Sequence, residues 1–176
     1  MEGLALVAVG DLPEGYPALV QERLQKETSM LCRILDRVLD PSVAYDSQRA
    51  QYNSRVLLPL LEDMSREADC RILGVTDVDL FSPIFTFVLG EARLNGHCGI
   101  FSLHRLHPSL YGLQEDKELL RARSEREALH ETGHLLGLEH CRDPNCVMQF
   151  SASAEEVDLK PAEFCSRCAA VARAVL

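Results

Sequence analysis

A chain of 176 residues with 47% hydrophobic and 26% charged residues has enough apolar surface for a real core and is not a disordered segment. Its formal net charge of −9, without any block of lysine and arginine, speaks against nonspecific DNA or RNA binding, which needs a basic face. The opening "MEGLALVAVGDLPEG" has a short apolar run, Leu4 to Val9, with no basic residue before it, so it reads as a first buried strand and not as a signal peptide or membrane span.

Pro17 is placed to start a helix over 17–27, where Leu19, Val20 and Leu24 recur at helical spacing. Residues 30–40 read both ways. Cys32, Ile34 and Val38 suggest alternation, while Leu31, Leu35, Val38 and Leu39 fit a helix, and Pro41 ends either. A polar loop follows, then Leu57, Leu58, Leu61 and Met64 predict a helix over 54–67 that Pro59 would kink or open as its first turn. A strand is expected over 70–75, ending in an acidic loop. Two more, 84–92 and 98–106, are expected on either side of "RLNG", with Asn95-Gly96 as a hairpin turn. Ser124-x-x-Glu127 matches a capping box, so a helix should start at or before Ser124 and run to Gly137. A last helix fits 162–176. The order implies an α+β fold, a mixed sheet with helices packed on it, in one domain without repeats or linkers.

Residues 130–140 read "HETGHLLGLEH". On a helix, His130 and His134 stack on one face, a spacing that lets both imidazoles reach one zinc ion. Glu131, one residue round the helix, cannot join that stack but can reach a water on the metal, as general base and then proton shuttle. Gly137 supplies the left-handed residue that ends the helix and turns His140 back as third ligand. Three neutral imidazoles leave zinc its charge and one open position, which lowers the pKa of its water to about 7 and polarises a carbonyl. HExxH arises by chance in well under about 1% of such chains, and the further glycine and histidine lower that about another hundredfold. The other histidines, His97, His104 and His107, read as surface or cleft-rim residues.

Of the seven cysteines, Cys32, Cys70 and Cys98 are scattered and read as buried structural thiols. Cys141-x4-Cys146 and Cys165-x2-Cys168 form two pairs at metal-knuckle spacing. Four thiolates would close the shell of a structural zinc and lock the short polar segment 147–164; two disulfides or redox pairs are the alternative. An odd cysteine count unevenly spread fits a reducing, cytoplasmic location better than a secreted disulfide framework. Neighbours in an extended stretch point opposite ways, so His140 and Cys141 would serve two different ions.

HExxHxxGxxH with a methionine soon after, Met148, resembles the metzincin clan of zinc peptidases. The further HC-x4-C-x-M and later CxxC resemble the archaemetzincin family in particular, as do "AYDSQRAQYNS" and "ILGVTDVDLF" upstream. The resemblance implies a metzincin-like twisted mixed sheet with an active-site helix, and a division into residues 1–137 and a short zinc-stapled part, 138–176. It further implies a catalytic zinc on His130, His134 and His140 with Glu131 as base, a Met-turn at Met148, and a second zinc on Cys141, Cys146, Cys165 and Cys168. By the same analogy the strand near 98–104 would be the cleft edge that pairs with an extended peptide or protein substrate. Two other classes compete. A metal-dependent endoribonuclease would share the three histidines, but Glu131 and the acidic charge count against it. A two-zinc binding or regulatory module with an idle site is the non-enzyme alternative.

Overall fold

The computed structural model describes residues 3–175, so of the expected elements only the last residue of the final helix, Leu176, lies outside the described residues. Strand β1 (Gly3–Val9) lies inside a five-stranded sheet with β2 (Leu31–Leu39), β5 (Arg71–Thr76), β8 (Cys98–Ser102) and β7 (Gly90–Ala92), in the order β2-β1-β5-β8-β7. All neighbours are parallel except β7, which runs antiparallel to β8. A small second sheet joins β3 (Tyr45–Asp46), β4 (Gln51–Asn53) and β6 (Leu80–Phe81).

The continuous apolar strands follow from helices on both faces. Leu4, Leu6, Leu73, Val75 and Phe101 join one cluster with α1 (Ala18–Thr28) and α3 (Lys117–Leu135), through Val20, Leu24 and Leu129. Their neighbours Ala5, Val7, Ile72 and Ile100 point the other way, onto Leu57 and Leu61 of α2 (Ser54–Ala68). Asn53 caps α2 by accepting from the Arg55 N–H at 3.0 Å, and Pro59 sits well inside the helix, not in its first turn. The ambiguous 31–39 segment is an edge strand. With one long side unpaired, Leu31 and Val38 stay exposed while Cys32 turns inward, which blurs the alternation.

Several expectations need correction. The strand expected over 84–92 is confined to Gly90–Ala92. Ahead of it, side chains take the place of a neighbouring strand: Arg49 donates to the Phe85 carbonyl at 3.2 Å and Gln51 to that of Thr86 at 3.0 Å. The strand expected over 98–106 stops at Ser102, and a 3-10 turn, His104–Leu106, follows. The hairpin turn itself is present, with Asn95 at φ 51° and the Arg93 N–H donating to Cys98 O at 3.1 Å. Helix α3 begins before Ser124, as the sequence allowed, at Lys117, but its cap is Asp116, whose carboxylate accepts from Leu119 N–H at 2.9 Å. Ser124 lies mid-helix and donates to Leu120 O at 2.7 Å, so it caps nothing.

Within 147–164, a short helix α4 (Ala154–Leu159) was not anticipated. Its cap reads from sequence after the fact, since Ser153 accepts from Glu156 N–H at 3.4 Å while Glu156 reaches back to Ala152 N–H at 2.6 Å. The last helix, α5 (Ser166–Val175), starts later than Ala162.

His107 lies 3.0 Å from Asp77, and that hydrogen bond raises its pKa above the ordinary imidazole value. A raised pKa contributes stability that is complete below the unfolded value, about 6.5, and fades as pH rises through the folded one. His107→Gln should therefore cost a few tenths of a kcal/mol to ~1 kcal/mol near pH 5.5, the pair being partly solvated, and nothing by about pH 9. Urea denaturation at the two pH values checks this.

Candidate active site

Helix α3 carries His130 and His134 one turn apart, with Ala128, Leu129 and Leu135 sealing its other side into the core. The Nδ1 of His130 meets Val147 O at 2.9 Å and that of His134 meets Leu138 O at 2.7 Å. A carbonyl can only accept, so each Nδ1 carries the ring proton and each Nε2 keeps a bare lone pair. Those two Nε2 atoms face each other at 3.1 Å. Two lone pairs so close are repulsive unless a cation lies between them. Nitrogens on a tetrahedral zinc at 2.0–2.1 Å would stand about 3.3 Å apart, close to what is seen.

The chain then turns. Gly137 has φ 82°, and Gly137 and Leu138 donate to the His134 and Gly133 carbonyls at 3.0 and 2.9 Å. This turn brings His140 back, with its ring centroid 5.0 Å from that of His134 and 5.3 Å from that of His130. One donor atom from each of the three rings lies within 4.8 Å of the others. Burial keeps the rings neutral: it pushes His130 well below the usual imidazole range, with Lys160 and His134 adding to the effect, and it lowers His134 and His140.

Glu131 is 4% exposed, and its Oε2 has no hydrogen-bond partner. Burial first, then the nearby Glu127, pushes its carboxyl well above the usual range. An orphaned carboxylate oxygen beside three converging lone pairs is the mark of a group held for a ligand or a water. Met148 is fully buried and packs against Gly133, where an added Cβ would come within 2.3 Å of its sulfur. Cys141 N–H donates to Met148 O at 2.9 Å, tying the methionine to the start of the cysteine cluster.

The four late cysteines converge, each with its sulfur within 4.8 Å of the others, and none of the seven cysteines is disulfide-bonded. Cys141 and Cys165 sulfurs lie 3.9 Å apart, close to the edge of about 3.8 Å expected for thiolates on one tetrahedral zinc. The Asp143 N–H at 3.5 Å and Arg167 at 3.3 Å favour a thiolate at Cys141, lowering its pKa to about 7. Burial and the neighbouring sulfurs raise Cys168, and burial raises Cys146, so the Cys141 thiolate forms readily while those of Cys146 and Cys168 need a cation. Cys32, Cys70 and Cys98 are buried apart from this cluster.

The cluster of histidines opens on a cleft of about 710 Å³. The strand that borders it is β7, not β8 as the sequence analogy expected: β8 is internal, flanked by β5 and β7.

The sequence pattern of peptidase family M54 matches residues 17–173. The chain belongs to peptidase family M54. It is 39% identical over 168 residues to the archaemetzincin of Methanocaldococcus jannaschii, covering 94% of this chain and 89% of that one. Among solved structures, a zinc-dependent peptidase from Methanocorpusculum labreanum superposes with a TM-score of 0.88 at 31% identity, covering 97% of this chain and all of that one. Archaemetzincin from Archaeoglobus fulgidus, complexed with malonate, superposes at 0.82 with 35% identity, over 96% of this chain and 99% of that one. As an M54 member the protein is a zinc metallopeptidase of the archaemetzincin family with a mixed α/β fold, and no described helix is long and apolar enough to cross a membrane.

Two groups beside the M54 site escaped the sequence. Lys160 is buried, its ammonium 3.0 Å from Glu127 Oε1 and 3.5 Å from His130 Nδ1. The Glu127 contact is an ion pair without hydrogen-bond alignment. Glu127 had been assigned to a cap, and nothing in the spacing of "DLKPAEF" singles out its lysine. Lys160→Met should cost about 3–5 kcal/mol by leaving the Glu127 charge buried and unpaired, and adding Glu127→Gln should recover most of that. Thermal unfolding of the single and double variants checks it.

Proposed function

We propose that the protein cleaves peptide bonds with one catalytic zinc on His130, His134 and His140, and that a second, structural zinc lies on Cys141, Cys146, Cys165 and Cys168. The observation that carries the reading is the pair of unprotonated Nε2 atoms 3.1 Å apart beside an unpartnered Glu131 oxygen. A bound zinc would supply a Lewis acid that acidifies a water and polarises the scissile carbonyl. Glu131 takes the proton from the attacking water and returns it to the departing amine nitrogen. Burial suits it to both tasks, since a carboxyl with a raised pKa accepts a proton readily and does not stay deprotonated at all costs. Met148 supports the histidines from below through its packing on Gly133.

The substrate is an extended segment of a peptide or protein. On either side of β7, Leu89 and Arg93 bond to β8, through Ser102 N–H to Leu89 O at 2.8 Å and Arg93 N–H to Cys98 O at 3.1 Å. By strand alternation Glu91 does the same, and Gly90 and Ala92 turn their N–H and C=O groups toward the cleft. An extended backbone added there forms a further strand and lays its carbonyls past the histidines. The odd and unevenly spread set of seven cysteines suits a cytoplasmic location.

A peptide-library cleavage profile of the zinc-loaded protein, read by mass spectrometry beside Glu131→Gln, tests the reading. Cleavage by the parent alone supports it. Cleavage by both proteins at rates within about tenfold in clean preparations would sink the mechanism, and cleavage by neither would favour a two-zinc binding module.

A further inference from the structure

Strand β7 comes so close to α3 that a side chain at Gly90 has no room. A Cβ there would stand 2.6 Å from Oε1 of Glu131, 2.7 Å from its Cδ and 2.8 Å from its Cγ. Ordinary contact begins near 3.4 Å, so the whole carboxylate would have to retreat by about 0.8 Å. The backbone at Gly90 is not in the left-handed region reserved for glycine, because its φ is not among the positive values. Conformation therefore does not require a glycine here; the room taken by Glu131 does.

We propose that Gly90 is a positioning residue for the peptidase reaction: its missing side chain defines the wall against which the Glu131 carboxylate is held. The inference rests on the peptidase reading above and adds a part to it. Glu131 Oε2 has no hydrogen-bond partner, so no donor on that oxygen fixes the carboxylate by direction. Position then depends on packing, with the backbone of β7 on one side. The same strand offers its edge to the substrate, so one element sets both the base and the peptide it serves. That coupling keeps the proton acceptor and the scissile bond in register.

The chemistry of the neighbour decides what a methyl group would do. At Gly99 an added Cβ would meet Ala92 Cβ at 2.8 Å and its Cα at 3.3 Å, a clash that involves backbone and should harm the sheet. At Gly90 the three nearest atoms it meets are Oε1, Cδ and Cγ of one side chain and none is backbone, so rotation about the Glu131 side-chain bonds can relieve the clash without moving the sheet. Catalysis is less tolerant, since a misplacement of about 1 Å can cost on the order of 100-fold in rate. Gly90→Ala should fold normally and work badly.

The test compares the parent, Gly90→Ala, Glu131→Asp and the double variant as zinc-loaded full chains, together with a crystal structure of Gly90→Ala. The expected result is a loss of about 100-fold in kcat for Gly90→Ala, with a KM within about threefold, unchanged zinc content and a melting temperature within about 2 °C. Aspartate is one methylene shorter and withdraws from the wall, so Gly90→Ala should cost about tenfold or less on that background. In the crystal the Glu131 carboxylate should be displaced from its parent position. A carboxylate that stays in place, or an equal fold-loss on both backgrounds, would overturn the proposal and assign the effect to substrate pairing along β7. If the parent itself cleaves no peptide, the peptidase reading fails, and the carboxylate position in the variant crystal still decides whether Gly90 places Glu131.

Discussion

Glu131→Gln is expected to lower peptide cleavage by about 10³-fold while leaving the zinc at the histidines in place. Removal of a general base costs on the order of 10²–10⁴ in rate, and glutamine keeps the shape of the side chain while losing its basicity. The stability effect should go the other way. Glu131 is buried with Glu127 near it, and its carboxyl is pushed well above the usual range. A carboxyl raised in the fold opposes folding once pH exceeds its unfolded value of about 4.3, because the unfolded chain ionises more easily. Metal-free Glu131→Gln should therefore melt above the metal-free parent at pH 7, where the unfolded carboxyl is already ionised. Cleavage within about tenfold of the parent would remove Glu131 from the mechanism, and loss of the zinc would make the comparison one of metal content. Steady-state kinetics with metal analysis, and calorimetry on the metal-free proteins, read both effects.

The second large effect is expected at the sulfur cluster. Cys146 is fully buried, and its sulfur accepts from Cys165 N–H at 3.4 Å. The residues beside it serve the histidines: Val147 O holds His130 Nδ1 at 2.9 Å, and Met148 packs on Gly133. A structural zinc contributes about 10–16 kcal/mol to small domains that depend on it. Losing one of four ligands should forfeit part of that, on the order of 3–5 kcal/mol, or about 10–15 °C in melting temperature for a chain of this size. Cys146→Ser should thus hold fewer than two zinc ions, melt well below the parent, and lose cleavage because His130 and Met148 are no longer braced. If it melted like the parent with full zinc, the cysteines would have no structural part. Arg167, which donates to the Cys141 sulfur, offers a milder probe of the same cluster.

Between these sites, the legible and the illegible parts of the chain divide along a physical line. His130, His134 and His140 could be grouped from spacing because one helical turn and one glycine turn relate them, both local geometry. Cys141 to Cys168 could be paired because each half is a short local motif. Lys160 could not be found, since its partner Glu127 lies 33 positions away and an isolated lysine has no periodicity. Gly90 was equally silent. A glycine near the end of an apolar run reads as a strand interruption, and only the approach of α3 shows what its empty side is for. The misplaced substrate edge has a related cause. Sequence gives two strands and a hairpin, but which of the two is outermost depends on whether β5 takes β8 or β7 as its neighbour.

By itself the sequence determined the candidate ligand types, their grouping into a nitrogen set and a sulfur set, the candidate base, and a sheet with helices against it. These are carried by local periodicity and by side-chain chemistry, which survive without knowledge of the fold. Tertiary structure alone decided that β7 is the edge bordering the cleft, that Val147 and Leu138 carbonyls fix the imidazole tautomers, that Lys160 lies buried behind His130, and that Glu131 fills the space beside Gly90. Each of these is a contact between segments distant along the chain or a carbonyl aimed by a turn, and such contacts are set by packing, which no spacing rule records.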